Sequence, residues 1–161
     1  MKLRVAVVLL LLTLGGCVGA PAPAPAPDRQ LVRQGFGTLP GVVLGSGPEL
    51  VVTYPEETLF SPGAVLPLAG GTARLDPLAQ MLAAHPELSW QGTVRVAPTA
   101  DPGYDQQLAA ERAALLTRYF RRRDLDDSRL HLAAAVEAGP SLELRGSYAP
   151  ASARTSSRVK E

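Results

Sequence analysis

A single cysteine, Cys17, stands in the 161 residues. No disulfide can therefore form within the chain, and its folded part must be held by packing alone. The apolar run ahead of Cys17, Val5 to Leu12, is too short to cross a bilayer, which takes roughly 20 apolar residues. With Lys2 and Arg4 before the run and small residues after it, residues 1–16 are expected to be an export signal rather than a membrane helix. Residues 21–27 read Pro-Ala-Pro-Ala-Pro-Ala-Pro. Repeated proline favours extended polyproline II at about 3.1 Å per residue, a semi-rigid spacer of roughly 20 Å. What remains suits one domain of about 100 residues.

Leu14-Gly15-Gly16-Cys17 resembles the bacterial lipobox. That resemblance implies cleavage before Cys17 and acylation of its thiol and new amino terminus. Several acyl chains on one residue hold a protein at a membrane far better than one would. Val18, not Asp, follows Cys17, which by analogy directs the chain to the outer membrane with its domain in the periplasm. Removal of Lys2 and Arg4 takes the 16 basic residues to 14, against 15 acidic ones. A chain so near neutrality carries no field for nucleic acid or for polybasic membrane attachment.

Residues 17–48 are expected to be the lipidated Cys and the tether, with 28–41 unassigned. Val42-Val43-Leu44 and Leu50 to Tyr54 are β-rich and separated by Gly45-Ser46-Gly47-Pro48, which predicts a hairpin. Leu75, Leu78, Met81 and Leu82 recur at helical spacing. Asp76-Pro77 offers an N-cap and first turn, and a start nearer Thr72 is the alternative. Pro86 closes that helix. Thr93 to Val96 alternates as a strand. The strongest helical signal runs from about Asp105, a good N-cap, to Arg122, with Ala109, Ala113, Leu116 and Phe120 on one stripe. Leu130 to Val136 and Leu142 to Tyr148 read as two more strands, and 149–161 as a flexible tail. The order β-α-β-α-β-β predicts an α+β fold with helices on one face of a small mixed sheet.

Tyr104-Asp105-Gln106-Gln107-Leu108-Ala109-Ala110-Glu111-Arg112-Ala113, then Leu116, Tyr119 and Phe120, resembles the signature Tyr-Asn-x-x-Leu-Ser-x-x-Arg-Ala of OmpA-like peptidoglycan-binding domains. Leu59-Phe60-Ser61-Pro62-Gly63 through Leu66, and Ser128-Arg129-Leu130, resemble the family's opening and the link after its long helix. The likeness spans about residues 49–148. It implies a β-α-β-α-β(-β) two-layer sandwich that grips the diaminopimelate of a peptidoglycan stem peptide without covalent chemistry. In that family an Asp closing a Gly-His-Thr-Asp loop and the Arg of the Arg-Ala pair make the grip. A planar guanidinium takes a carboxylate through two hydrogen bonds, and a fixed carboxylate accepts from an ammonium.

The resemblance carries the Arg onto Arg112. The loop carries over less cleanly, because the chain reads Ala97-Pro98-Thr99-Ala100-Asp101. Thr99 matches the family Thr, and Asp101 stands one position late. Asp101-Pro102-Gly103 is also an ordinary turn sequence. Asp105 replaces the family Asn and adds negative charge. The implied contact set is Thr99, Asp101, Asp105 and Arg112, with Cys17 for lipid. The Gly-x-Gly turn after the third strand is replaced by Val136-Glu137-Ala138-Gly139-Pro140. Leu142 to Arg145 takes the place of the closing strand, with Ser157-Arg158-Val159 as the weaker candidate.

No metal, cofactor or enzyme activity is expected. His85 and His131 have no neighbour at ligand spacing, and Gly70-Gly71 lacks the Lys-Ser/Thr of a phosphate loop. Glu56-Glu57 reads as a diverging pair, and Trp90 as packing. Two functions remain: tethering the outer membrane to the cell wall, or, given the altered loop, binding another protein in an envelope assembly.

Overall fold

The computed structural model describes residues 28–148. The export signal, Cys17, the Pro/Ala stretch and 149–161, including Ser157-Arg158-Val159, lie outside the described residues. The elements in chain order are α1 (Arg29–Gly37), β1 (Val43–Leu44), β2 (Leu50–Tyr54), α2 (Gly71–Ala84), β3 (Leu88–Val96), α3 (Pro102–Arg121), β4 (Leu130–Val136) and β5 (Leu142–Tyr148). Among the described residues no helix is long and apolar enough to cross a membrane.

Period-2 alternation in the strands becomes rows across one sheet of order β1-β2-β5-β3-β4. β3 and β4 are parallel, joined through α3, and the other neighbours are antiparallel. Val52 faces Leu144, Leu144 faces Gly92, and Gly92 faces Leu132. Tyr54, Leu142 and Val94 make the next row. These alternate residues are buried with the apolar stripes of α1, α2 and α3 in one core. The opposite face carries Arg95, Glu143 and Arg145 in a chain of ion pairs, Arg95–Glu143 at 3.1 Å and Arg145–Glu143 at 2.8 Å. The result is the expected α+β fold, a mixed sheet covered by helices on one face. The hairpin predicted for 42–54 forms, with Val43 opposite Thr53.

β5, last in sequence, lies between β2 and β3. Glycine makes room there. A Cβ on Gly92 would come within 2.4 Å of Leu132 Cδ2 and 2.6 Å of Leu144 Cδ2. The bare backbone lets those leucines meet across it.

The unassigned stretch 28–41 contributes α1. Asp28 caps it, accepting from the Gln30 amide at 2.9 Å. Val32 and Phe36, one turn apart, bury their side chains. The Phe36 ring lies 5.1 Å from that of Trp90 and 5.9 Å from that of His85, so this helix belongs to the core rather than to the tether.

One helix takes the alternative start near Thr72, and the other starts earlier than the residue first indicated. α2 begins at Gly71, and Pro77 lies inside it. Pro77 forfeits one hydrogen bond, but Leu75, Leu78, Ala79 and Leu82 bury on the same side of the helix. Tertiary packing decides the boundary. Asp76, freed from capping, instead accepts from the Tyr119 hydroxyl and the Arg123 guanidinium, clasping α2 to the end of α3. α3 begins at Pro102, not Asp105. Proline's fixed φ suits the first helical position, and Asp101 is the cap, accepting from the Tyr104 amide at 3.0 Å. Asp105 sits one turn in and is buried.

Candidate functional site

Arg112 points from α3 toward the segment joining β2 to α2. It is only 6% exposed. Its Nε donates to the Ala64 carbonyl at 2.8 Å and its Nη2 to the Ser61 carbonyl at 2.9 Å. Its guanidinium lies 4.5 Å from the centre of the Phe60 ring. Tyr104, one helical face away, donates its hydroxyl to the Gly63 carbonyl at 2.9 Å. Two side chains of α3 thus hold residues 61–64 in place. Gly63 turns the chain there with φ +69°, a conformation that costs glycine nothing.

Burial pulls the Arg112 guanidinium below its usual value, and the neighbouring Tyr104 and Glu56 oppose that pull. The group stays a cation, as arginine does. Its Nη1 makes no hydrogen bond among the described residues. Arg112 lines a cavity of about 170 Å³ between the 56–63 segment, the end of β3 and the start of α3.

Of the predicted contact set, Thr99, Asp105 and Arg112 all line this cavity. Asp105 is 1% exposed. Its carboxylate accepts from the Thr99 amide at 2.6 Å and from the Thr99 hydroxyl at 2.9 Å. The Thr99 hydroxyl in turn accepts from the Asp101 amide at 3.2 Å. Asp101 is not among the lining residues, and its carboxylate is engaged as the cap of α3. Cys17 lies outside the described residues. The sequence reading did not place Glu56 and Glu57 at the site, yet both line the cavity. Glu57 sits in the left-handed region with φ 48°, an uncommon conformation for a residue with a side chain. Nothing in the local sequence marks that turn, which the passage from Pro55 to the buried Leu59 imposes.

Arg95 also borders the cavity, but Glu137 at 2.6 Å and Glu143 at 3.1 Å hold it. The cavity is therefore lined by Arg112 and by three acidic residues, Glu56, Glu57 and Asp105. Such a set has the chemistry to hold a charged ligand. Among the described residues no group of three or more His, Cys, Asp or Glu is placed to hold a metal ion.

Comparisons with solved structures place this geometry in a known fold. The chain superposes on a MotB-like protein from Desulfovibrio vulgaris with a TM-score of 0.62 at 20% identity, over 74% of this chain and 91% of that one. The cell wall anchor of the T6SS from Pseudomonas aeruginosa matches with 0.58 at 15% identity, over 77% and 99%. The periplasmic domain of Helicobacter pylori MotB matches with 0.57 at 12% identity, over 71% and 83%. No family model and no curated protein matches the sequence. At these identities the likeness is one of fold, and the fold of this chain is OmpA-like.

Proposed function

We propose that the domain binds peptidoglycan non-covalently through the cavity beside Arg112, and that lipid on Cys17 holds the chain in the outer membrane, so that the protein ties membrane to wall from the periplasm. One observation carries this reading: Arg112, nearly buried and with Nη1 unbonded among the described residues, lines a cavity that Thr99 and Asp105 also line. A carboxylate of the stem-peptide diaminopimelate answers such a group, because a charge-assisted hydrogen bond in a partly desolvated site is stronger than one on an open surface. A structural neighbour, the Pseudomonas aeruginosa protein, is described as a cell wall anchor, which supports the same partner.

The test is sedimentation of the full-length protein, kept soluble in detergent, with diaminopimelate-type sacculi. Wild type is expected in the pellet. Arg112→Ala is expected in the supernatant, and Arg112→Lys, which keeps the charge but not the fork, is expected to bind more weakly than wild type. Melting curves separate lost binding from lost fold. Wild type left in the supernatant would overturn the reading.

The engagement of Arg112 with two loop carbonyls and of Asp101 with the helix start favours a second reading, in which the OmpA-like domain binds a protein of an envelope assembly. That reading stands if wild type ignores sacculi.

A further inference from the structure

The sheet ends in two unequal edges. β1, on one side, is 2 residues long and offers little to another strand. β4, on the other, runs for 7 residues as Leu-His-Leu-Ala-Ala-Ala-Val, without lysine, arginine, acid or proline. Proteins usually blunt an edge of that length with a charge, a proline or a bulge. Among the described residues no strand lies beyond β4.

The ladder to β3 fixes which backbone groups of β4 are open. The Trp90 amide donates to the Arg129 carbonyl at 2.7 Å, and the Glu137 amide donates to the Val96 carbonyl at 3.0 Å. The odd-numbered residues of β4 therefore bond β3, and the even-numbered ones turn N–H and C=O away from it. The Leu130 amide is engaged, donating to the Asp126 carbonyl at 2.9 Å. Leu132, Ala134 and Val136 keep their outward groups open. Their side chains share the core face with Gly92, Val94 and Val96, yet Ala134 is exposed and Leu132 and Val136 are only half-buried.

We propose that β4 pairs antiparallel with β4 of a second copy of this chain, about a two-fold axis at Ala134, so that the two sheets become one. The strand is self-complementary in that register, which is what a two-fold contact demands. Ala134 meets its own copy. Leu132 faces the partner's Val136, and Ala133 faces the partner's Ala135. His131 faces the partner's Glu137, a ring N–H donor against a carboxylate acceptor. No like charges meet. A centre nearer the start of the strand sets Ala134 or Val136 against the partner's Leu130, whose amide is engaged. A centre nearer its end sets Leu132 against the partner's Ala138 or the partner's Pro140, past the strand. Ala134 is thus the centre that pairs every open group. The pairing goes beyond the wall-binding reading and does not depend on it.

The experiment uses full-length protein in detergent. Wild type at about 100 μM is expected to sediment as a dimer. Ala134→Lys sets two ammonium groups face to face at the axis and is expected to weaken dimerisation about tenfold or more. Its circular dichroism is expected to match that of wild type, because Ala134 is exposed and bonds nothing in β3. The register is read by cysteine. At the axis, Cα atoms of a hydrogen-bonded pair lie about 5.5 Å apart, within disulfide range. Mild oxidation of Ala134→Cys is expected to give a covalent dimer on a non-reducing gel. Ala133→Cys, whose copies stand diagonally at about 7–8 Å, is expected to stay largely monomeric there. Wild type is the control for Cys17. A monomeric wild type overturns the pairing. So does a dimer that Ala134→Lys leaves intact, or one in which Ala134→Cys crosslinks no better than Ala133→Cys.

Discussion

Both oxygens of the Asp105 carboxylate are taken by a single residue, Thr99, whose amide donates at 2.6 Å and whose hydroxyl donates at 2.9 Å. The pair ties the first turn of α3 to the loop that leaves β3. The hydroxyl is also the acceptor for the Asp101 amide, so one buried acid holds Thr99 and, through it, Asp101. These contacts give Asp105 a structural role at the start of α3.

Asp105→Ala removes both contacts to Thr99, whose own position is exposed. The expected loss is about 1.5 kcal/mol of unfolding free energy, the lower end for hydrogen bonds to a charged group. Asp105→Asn keeps both contacts if its amide oxygen accepts from the Thr99 N–H and its amide nitrogen donates to the hydroxyl, so its loss is expected below about 1 kcal/mol. Urea unfolding of the two variants checks the order. Equal losses would mean that the contact needs the charge.

Asp101 separates capping from recognition. Its carboxylate accepts from the Tyr104 amide at 3.0 Å, and Ala there is expected to cost about 1 kcal/mol. Sedimentation with sacculi is expected to be unchanged, because Asp101 does not border the cavity. Asp101→Asn restores the cap and is expected to recover the stability. Loss of wall binding in Asp101→Ala with a normal melting temperature would return this residue to the contact set.

The order of strands and helices was legible because each element carries its period in its own residues: Leu50, Val52 and Tyr54 alternate, and Ala109, Ala113, Leu116 and Phe120 fall on one helical stripe. The place of β5 was not, since no local pattern says that the last strand inserts between β2 and β3. α1 was hidden by composition. Its sequence Arg-Gln-Leu-Val-Arg-Gln-Gly-Phe-Gly is mostly polar, and only Val32 and Phe36 bury. The spacing of those two, behind the Asp28 cap, was the one available signal. At the site, Arg112 was legible through the helix signature. The Asp101 cap lay in a turn sequence that served either role. Glu56 reaches the cavity through a turn whose shape depends on contacts far along the chain.

Gly92 tests the row that the inserted strand creates. A methyl group at this position meets Leu132 Cδ2 at 2.4 Å and Leu144 Cδ2 at 2.6 Å. Leu144 is fully buried and cannot swing into solvent. Gly92→Ala is therefore expected to cost about 1–3 kcal/mol through forced repacking, read from the shift in denaturant midpoint. A stabilised variant would mean that the row has slack.

The clasp between α2 and α3 sets an acid edge to stability. The Tyr119 hydroxyl, and then the Arg123 guanidinium, hold the Asp76 carboxyl below the usual range. Arg123 also stacks on the Tyr119 ring, 3.7 Å from its centre, so the three side chains act as a unit. A carboxyl that is more acidic folded than unfolded releases its proton more readily in the native state. Its contribution is present above the unfolded value of about 3.9 and is lost as pH falls through the lower folded value. Melting temperatures taken from pH 5 down to pH 2 are expected to fall less steeply in Asp76→Asn than in wild type, with the two curves converging at the acid end. Tyr119→Phe removes the leading cause of the shift and is expected to give an intermediate slope, because Arg123 still faces the acid. Parallel curves for all three proteins would assign the acid edge to carboxylates elsewhere in the fold.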